Sequence, residues 1–329
     1  MATAPTDASS TRAGVFSYMD DAAEPSLFRN GKVYTRRDTD GSDSKFVGVD
    51  LIKHEVPVHD ARKMTGAERP TLERNGFELL DRPIPSPDLD FMNNEQVIRE
   101  YYPHCEQVIR DASGARLVAA FDHNVRSAAG KKSQKRIEGG QQVQGPAHLV
   151  HGDYTMTSTP DRLRQLTRPP SSNDTLRAVL SEHETLLEAD EIEEAIENGR
   201  YGIINLWRNI ADTPVAVNPL ALCDAACVNA KDLVVFEIHY AERIGENYFA
   251  KYSDGHRWYF YPDMTRDEAL LIKQWDSAGR MARTRGEQSD PADGSEPCTF
   301  SFHSAFEDPT TPLDAPDRWS IEVRCAVVW

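Results

Sequence analysis

The chain reads as mainly β with helical insertions around a jelly-roll core, and three observations predict this. Short runs rich in β-branched and aromatic residues recur between Pro, Asn, Asp and Gly. Only a few stretches carry helical periodicity, and many short strands interrupted by helices suit a double-sheet roll. No internal repeat is visible, and no GxGxxG fingerprint follows a strand and opens a helix, so a nucleotide-binding α/β architecture has nothing specific behind it. With 329 residues, one domain over 14–329 is expected after a disordered tail at 1–13, because all-β domains of this size often run as a single unit.

From Val15 to about Arg82 extended segments alternate with turns, and 35–42 reads as an exposed loop. Asn93 or Asn94 can cap a helix over about 93–111, where Val97, Ile98, Tyr101, Cys105, Val108 and Ile109 form one apolar stripe. Residues 115–121 predict a strand that runs into Asp122-His123-Asn124-Val125-Arg126. The stretch 127–145, rich in Gly, Lys and Gln, reads either as a lid beside a site or as a solvated connection. An acidic helix over 182–198 buries Leu186, Leu187, Ile192, Ala195 and Ile196. Strands follow at 201–207, 233–240, 244–252 and 257–261. Thr265 with Glu268 predicts a capping box opening a helix over about 265–276. A polar loop at 283–297 precedes the last strands, 299–302 and 319–328.

Thirty-seven basic against 53 acidic residues give a net charge of −16, which repels phosphate backbones and anionic lipid. No apolar run approaches the ~20 residues of a membrane helix, and the polar start lacks the pattern of a secretory signal. The expected setting is cytoplasmic, with a small-molecule substrate, no nucleic acid, no membrane, and at most a homodimeric partner. Cysteines 105, 223, 227, 298 and 325 form an odd set without CxxC spacing, which fits a reducing compartment. Cys223 and Cys227 read as buried small residues in preference to metal ligands.

The chemistry centres on His151-Gly152-Asp153. On an extended strand, side chains two residues apart share a face, so this imidazole and carboxylate can grip one cation. With His303, the set becomes two His and one carboxylate, which occupy one face of a ferrous ion and leave positions open for a chelating cosubstrate and dioxygen. His151, Asp153 and His303 are therefore the candidate catalytic and metal-ligating residues. His148 faces the other way along the strand, His239 is a core histidine or an alternative third ligand, and His123 with Arg126 ends a strand that could line the pocket. Arg318, fifteen residues after His303 (318 − 303), offers a planar fork to a cosubstrate carboxylate, and Ser320 adds a hydroxyl on the same face. Arg324 lies on that face again and is the alternative anchor. Arg126, Asn205, Trp207 and Arg208 are the candidate substrate residues, the two arginines suiting a carboxylate substrate such as an amino acid.

Further marks are Val150-His151-Gly152-Asp153-Tyr154-Thr155, Ile204-Asn205-Leu206-Trp207-Arg208, Asn218-Pro219-Leu220-Ala221, Lys273-Gln274-Trp275-Asp276-Ser277, His303-Ser304-Ala305-Phe306 and Arg318-Trp319-Ser320-Ile321-Glu322-Val323-Arg324. In these the chain resembles, from about residue 15 to its end, the largely fungal hydroxylase/desaturase oxygenases grouped with gibberellin desaturases and the cephalosporin methoxylase component. The resemblance implies a double-stranded β-helix (cupin-like) that binds Fe(II) and uses 2-oxoglutarate and O2 as cosubstrates. It matches His151, Asp153 and His303 to the metal positions, and Arg318 and Ser320 to the Arg-x-Ser element that holds the distal carboxylate. It implies hydroxylation, desaturation or oxidative cyclisation of a small molecule, in secondary metabolism; the presence of Asp153 disfavours halogenation. The alternative is a cupin-like metal-dependent hydrolase or isomerase, or a ligand-binding protein, that does not use 2-oxoglutarate.

Overall fold

In a computed structural model, which describes residues 11–36, 46–171, 174–240 and 244–329, fourteen strands form two sheets. The nine-stranded sheet contains β1 (Thr11–Met19), β2 (Tyr34–Arg36), β3 (Leu51–Asp60), β6 (His151–Gly152), β8 (Leu220–Cys223), β9 (Leu233–His239), β10 (Ile244–Ala250), β11 (Trp258–Phe260) and β13 (His303–Ala305). Its order is β1-β3-β11-β8-β13-β6-β10-β9-β2. The five-stranded sheet runs β4 (Phe77–Asp81), β12 (Glu268–Asp276), β7 (Tyr201–Asn209), β14 (Ser320–Val328), β5 (Leu117–Arg126). Pairing is antiparallel except where β3 meets β11 and β2 meets β9.

The period of two along each strand sorts the five-stranded sheet into two faces. Ile204 and Leu206 of β7, Ala269 and Leu271 of β12, and Val323 and Cys325 of β14 cluster with the apolar stripe of the helix predicted at 93–111. That helix starts as α1 (Asn94–Gln96), capped by the Asn93 side chain, widens into a π turn at Val97–Tyr101, and continues as α2 (Tyr102–Ser113). Tyr101, Cys105 and Ile109 are fully buried there, and each such side chain contributes about 1.5–3 kcal/mol. α2 ends at Gly114, whose φ of 68° is the left-handed conformation that closes a helix. The opposite face carries Trp207, Leu270 and Ile272, which pack on Leu220 and Leu222 of β8. The polar residues that share this face, Asn205, Glu322 and Arg324, are thereby turned between the sheets.

Several expectations need correction. The stretch 265–276 is not a helix: Thr265 N–H does meet the Glu268 carboxylate at 2.9 Å, but the contact closes a turn, and β12 follows. The run Ala269-Leu270-Leu271-Ile272 is buried on both faces between β4 and β7, where a central strand is continuously apolar and resembles a helical segment. The helix predicted at 182–198 begins only at residue 189, as α5 (Ala189–Asn198), because Ser181 and Glu184 close a turn before it. Residues 11–13, expected in the tail, pair in β1; residues 1–10 lie outside the described residues. Of the loop expected at 35–42, Thr35 and Arg36 belong to β2 and the rest lies outside the described residues. Residues 299–302 are irregular, and the strand begins at His303.

The segment 127–145 forms α3 (Ala128–Lys132) and a returning turn that buries Ile137 and Val143. The remaining α-helices among the described residues are α4 (Ser158–Leu166) and α6 (Arg280–Arg283). Among the described residues no helix is long and apolar enough to cross a membrane.

Candidate metal centre

His151 opens β6, which lies between β13 and β10, and stands directly across the ladder from His303. Their rings are 4.3 Å apart between centroids. Gly152 turns to the other side, where a Cβ would come within 3.1 Å of the Phe300 ring; the chain presses on that ring and Asp153 returns to the side of His151. Ligand atoms of His151, Asp153 and His303 all lie within 4.8 Å of one another, the one such cluster of three among the described residues. His151 and its neighbour Asp153 are thus joined by the distant His303.

Each ligand is prepared by its surroundings. His151 Nδ1 faces the Leu149 carbonyl at 2.7 Å, so Nδ1 carries the proton and Nε2 is left with its lone pair for a cation. Burial, helped by the adjacent His151, pulls the His303 imidazole down to about 4, which keeps it neutral at pH 7. For Asp153 burial pushes the other way, but Arg324 and His151 outweigh it and hold the carboxyl well below its ordinary value. Asp153 Oδ2 accepts from Asn205 Nδ2 at 2.9 Å and from Arg324 Nε at 3.1 Å, while Oδ1 lies 3.5 Å from His151 Nε2.

Beside the triad is a small cleft lined by Arg126, His151, Trp207, His303, Arg318 and Glu322, among others. Arg318 is 2% exposed. Its Nη1 donates to the Asn218 carbonyl, and its guanidinium stands 5.7 Å from the centre of the Trp207 ring. Among the described residues it makes no ion pair, and Nε has no hydrogen-bond partner; nor does the buried Oγ of Ser320. Burial and the charge of Arg126 pull the Arg318 guanidinium down to about 9. It still carries its charge at neutral pH, so the shift registers an unmet demand for an anion. Arg324, the alternative anchor, is already engaged, with Asp122 at 2.9 Å in addition to Asp153.

Other candidates fall on either side. Arg126 and Trp207 line the cleft. Asn205 meets Asp153 of the triad itself. Arg208 is one residue out of phase with these two on β7: it points to the helical side, where Nε donates to Tyr101 at 2.8 Å and Nη1 to the Arg266 carbonyl at 2.6 Å. It does not line the cleft, and the two-arginine argument for a carboxylate substrate loses one of its members. His123 pairs with Tyr102 at 2.9 Å on that same outer side, and His239 with Glu237 at 2.8 Å. Glu322 and Gln274 were not foreseen. Glu322 was legible, since 320, 322 and 324 share a strand face; Gln274 was not, because it sits where β12 slips register against β7.

Two imidazoles and one carboxylate on one side, open space on the other, and a buried arginine facing that space form a donor set that suits a first-row divalent cation with an anionic chelator. Residues 16–328 match the family described as oxidoreductase/YMDC permease-like domain. A protein of Methylophilus leisingeri, described as an uncharacterized protein in the dcmA 3' region, is 43% identical over 195 residues, covering 59% of this chain and 88% of its own. The alpha-ketoglutarate-dependent dioxygenase phiK of a fungal species is 31% identical over 265 residues, covering 78% of this chain and 79% of its own. Among solved structures, the iron and alpha-ketoglutarate-dependent endoperoxidase NvfI superposes with a TM-score of 0.71 at 20% identity, over 98% of this chain and 99% of that one. The chain belongs to this oxidoreductase family, the group in which the fungal hydroxylase/desaturases and alpha-ketoglutarate-dependent dioxygenases lie.

Proposed function

We propose that the protein is an Fe(II)- and 2-oxoglutarate-dependent dioxygenase that activates a C–H bond of a small molecule. In this reading His151, Asp153 and His303 hold the iron, and Arg318 with Ser320 receives the distal carboxylate of 2-oxoglutarate. The observation that carries it is the buried Arg318, without an ion-pair partner among the described residues, opening on the same cleft as the triad. When bound, iron with 2-oxoglutarate and O2 supplies an oxidant able to take hydrogen from an unactivated carbon, at the cost of converting 2-oxoglutarate to succinate and CO2.

The residues supply placement. The Leu149 carbonyl keeps His151 in the tautomer that presents Nε2. Arg318 and Ser320 orient the cosubstrate, and the indole of Trp207 walls the cleft and excludes water from it. Arg126 lines the same cleft, and its positive charge there favours an acidic substrate. The two sheets are read as the halves of a double-stranded β-helix within one domain, and the setting as cytoplasmic secondary metabolism. Whether hydroxylation, desaturation or cyclisation follows is set by how the substrate sits.

The test is addition of 2-oxoglutarate to the ferrous protein without oxygen, which should produce the weak visible charge-transfer band of a chelated keto acid. With oxygen and substrate, succinate should form, and Asp153→Ala should abolish it. A protein that binds one iron per chain yet shows neither the band nor 2-oxoglutarate-dependent succinate would refute the proposal and favour a hydrolytic or ligand-binding role.

A further inference from the structure

Asp153 has two carboxylate oxygens, and they are treated differently. Oδ1 is turned to His151 Nε2, 3.5 Å away. Oδ2 is taken by two N–H donors, Asn205 at 2.9 Å and Arg324 at 3.1 Å. The backbone N–H of Asp153 donates to Gln274 Oε1 at 3.0 Å. Asn205 belongs to β7, Arg324 to β14 and Gln274 to β12, so three adjacent strands of the five-stranded sheet each put one side chain on a residue that extends from the other sheet.

Two features set this apart from ordinary satisfaction of a buried acid. The Asn205 amide aims its nitrogen at both Asp153 and Glu322, the latter at 2.7 Å, and its own Oδ1 is buried with no hydrogen-bond partner among the described residues; Gln274 Nε2 is in the same state. Each such atom costs about 1–3 kcal/mol, a cost that packing by itself gives no reason to keep. The second feature is backbone geometry. The five-stranded sheet shows two register shifts: Gln274 is the extra residue on β12 against β7, and Phe121 is the extra residue on β5 where that strand faces Arg324 and Cys325 of β14. Gln274 is itself the bulged residue and Arg324 pairs with Asp122 beside the second bulge, and bulges beside sites re-aim side chains.

We propose that Asn205, Gln274 and Arg324 are positioning residues that hold Asp153 as a one-oxygen metal ligand, with Oδ2 blocked by two donors and only Oδ1 free to reach the cation. This rests on the reading of the triad as an iron site. A carboxylate binding through both oxygens would occupy a position that the cosubstrate or dioxygen needs. Arg324 cannot leave to serve the cleft, because Asp122 grips its other end.

The test is an oxygen-free titration of metal-free protein with Co(II), an optically readable stand-in for iron, followed by 2-oxoglutarate. Wild-type protein should take one Co(II) per chain, and its visible bands should move when 2-oxoglutarate is added. Folded Asn205→Leu and Arg324→Met proteins should show altered bands before any cosubstrate is present, and a Kd for 2-oxoglutarate raised about 10–100-fold, the range typical of groups that orient metal ligands. Loss of Co(II) uptake by a folded variant supports the same role. Asn205→Leu fills nearly the same volume, so it decides the matter if Arg324→Met does not fold. Bands and 2-oxoglutarate affinity unchanged in folded Asn205→Leu would overturn the positioning role and leave the iron site standing. A wild-type protein that takes up no Co(II) would overturn the iron reading beneath it.

Discussion

Among the described residues, Arg318 places a positive charge in the interior against a carbonyl and an aromatic face, with no ion pair in contact. Charge-assisted hydrogen bonds are worth about 1.5–3 kcal/mol, so Arg318→Ala should raise the KM for 2-oxoglutarate about 10–100-fold, read from succinate formation. The same change removes a buried charge that lacks a counter-ion, so denaturant melts without 2-oxoglutarate should show little loss of stability or a gain. His303→Ala should abolish iron uptake, checked by metal analysis of the folded protein. At this scale much was legible. His151 opens β6 and Asp153 directly follows that strand, and the strand parity read from the sequence put the two on one face. The same parity argues against Arg208 once Trp207 is placed inward, a check that residue type by itself does not supply. Parity could not choose between Arg318 and Arg324, which share a face; their partners choose, and Arg324's partner Asp122 comes from a strand about two hundred residues earlier (324 − 122).

Elements were legible where their pattern was local. The Asn93 cap and the stripe that follows it announce α1 and α2, whereas β12 was misread because four successive apolar residues have no period to read. The end of β12 carries a buried ion cluster in which Asp276 accepts from Lys273 at 2.8 Å and meets Arg200 at 2.5 Å. Burial would raise the Asp276 carboxyl, but Lys273 and Arg200 outweigh it and hold it below the ordinary carboxylate range. A depressed folded value means that the stabilisation is complete above pH ~4 and is lost as pH falls through that lower value. Asp276→Asn should therefore cost about 3–5 kcal/mol at pH 7, since Lys273 stays buried, and the gap to wild type should narrow in denaturant melts at pH 3. In α3, a Cβ on Gly130 would come within 2.7 Å of both Trp319 and Val143. Gly130→Ala should destabilise the docked segment by about 1–3 kcal/mol, visible as faster proteolytic cleavage within 127–145.

For the whole molecule, the class of architecture was legible in the frequency of short strands, but the order in which they pair was not. β8 reaches β13, the strand that carries His303, across some eighty residues (303 − 222), and nothing local encodes that meeting. Binding of metal and cosubstrate to the folded state only should stabilise it by about 2.7 kcal/mol at a hundred times Kd. A thermal scan should show Tm rising with Fe(II) and 2-oxoglutarate and falling back with a chelator. The two histidines are carried by one sheet, while the grip on the carboxylate that joins them comes from the other. The metal would thus act as a gauge of the gap between the layers: a bulky guest that wedges them apart would tilt Asp153, and the colour of a cobalt-loaded protein would report the intrusion before any bond is broken.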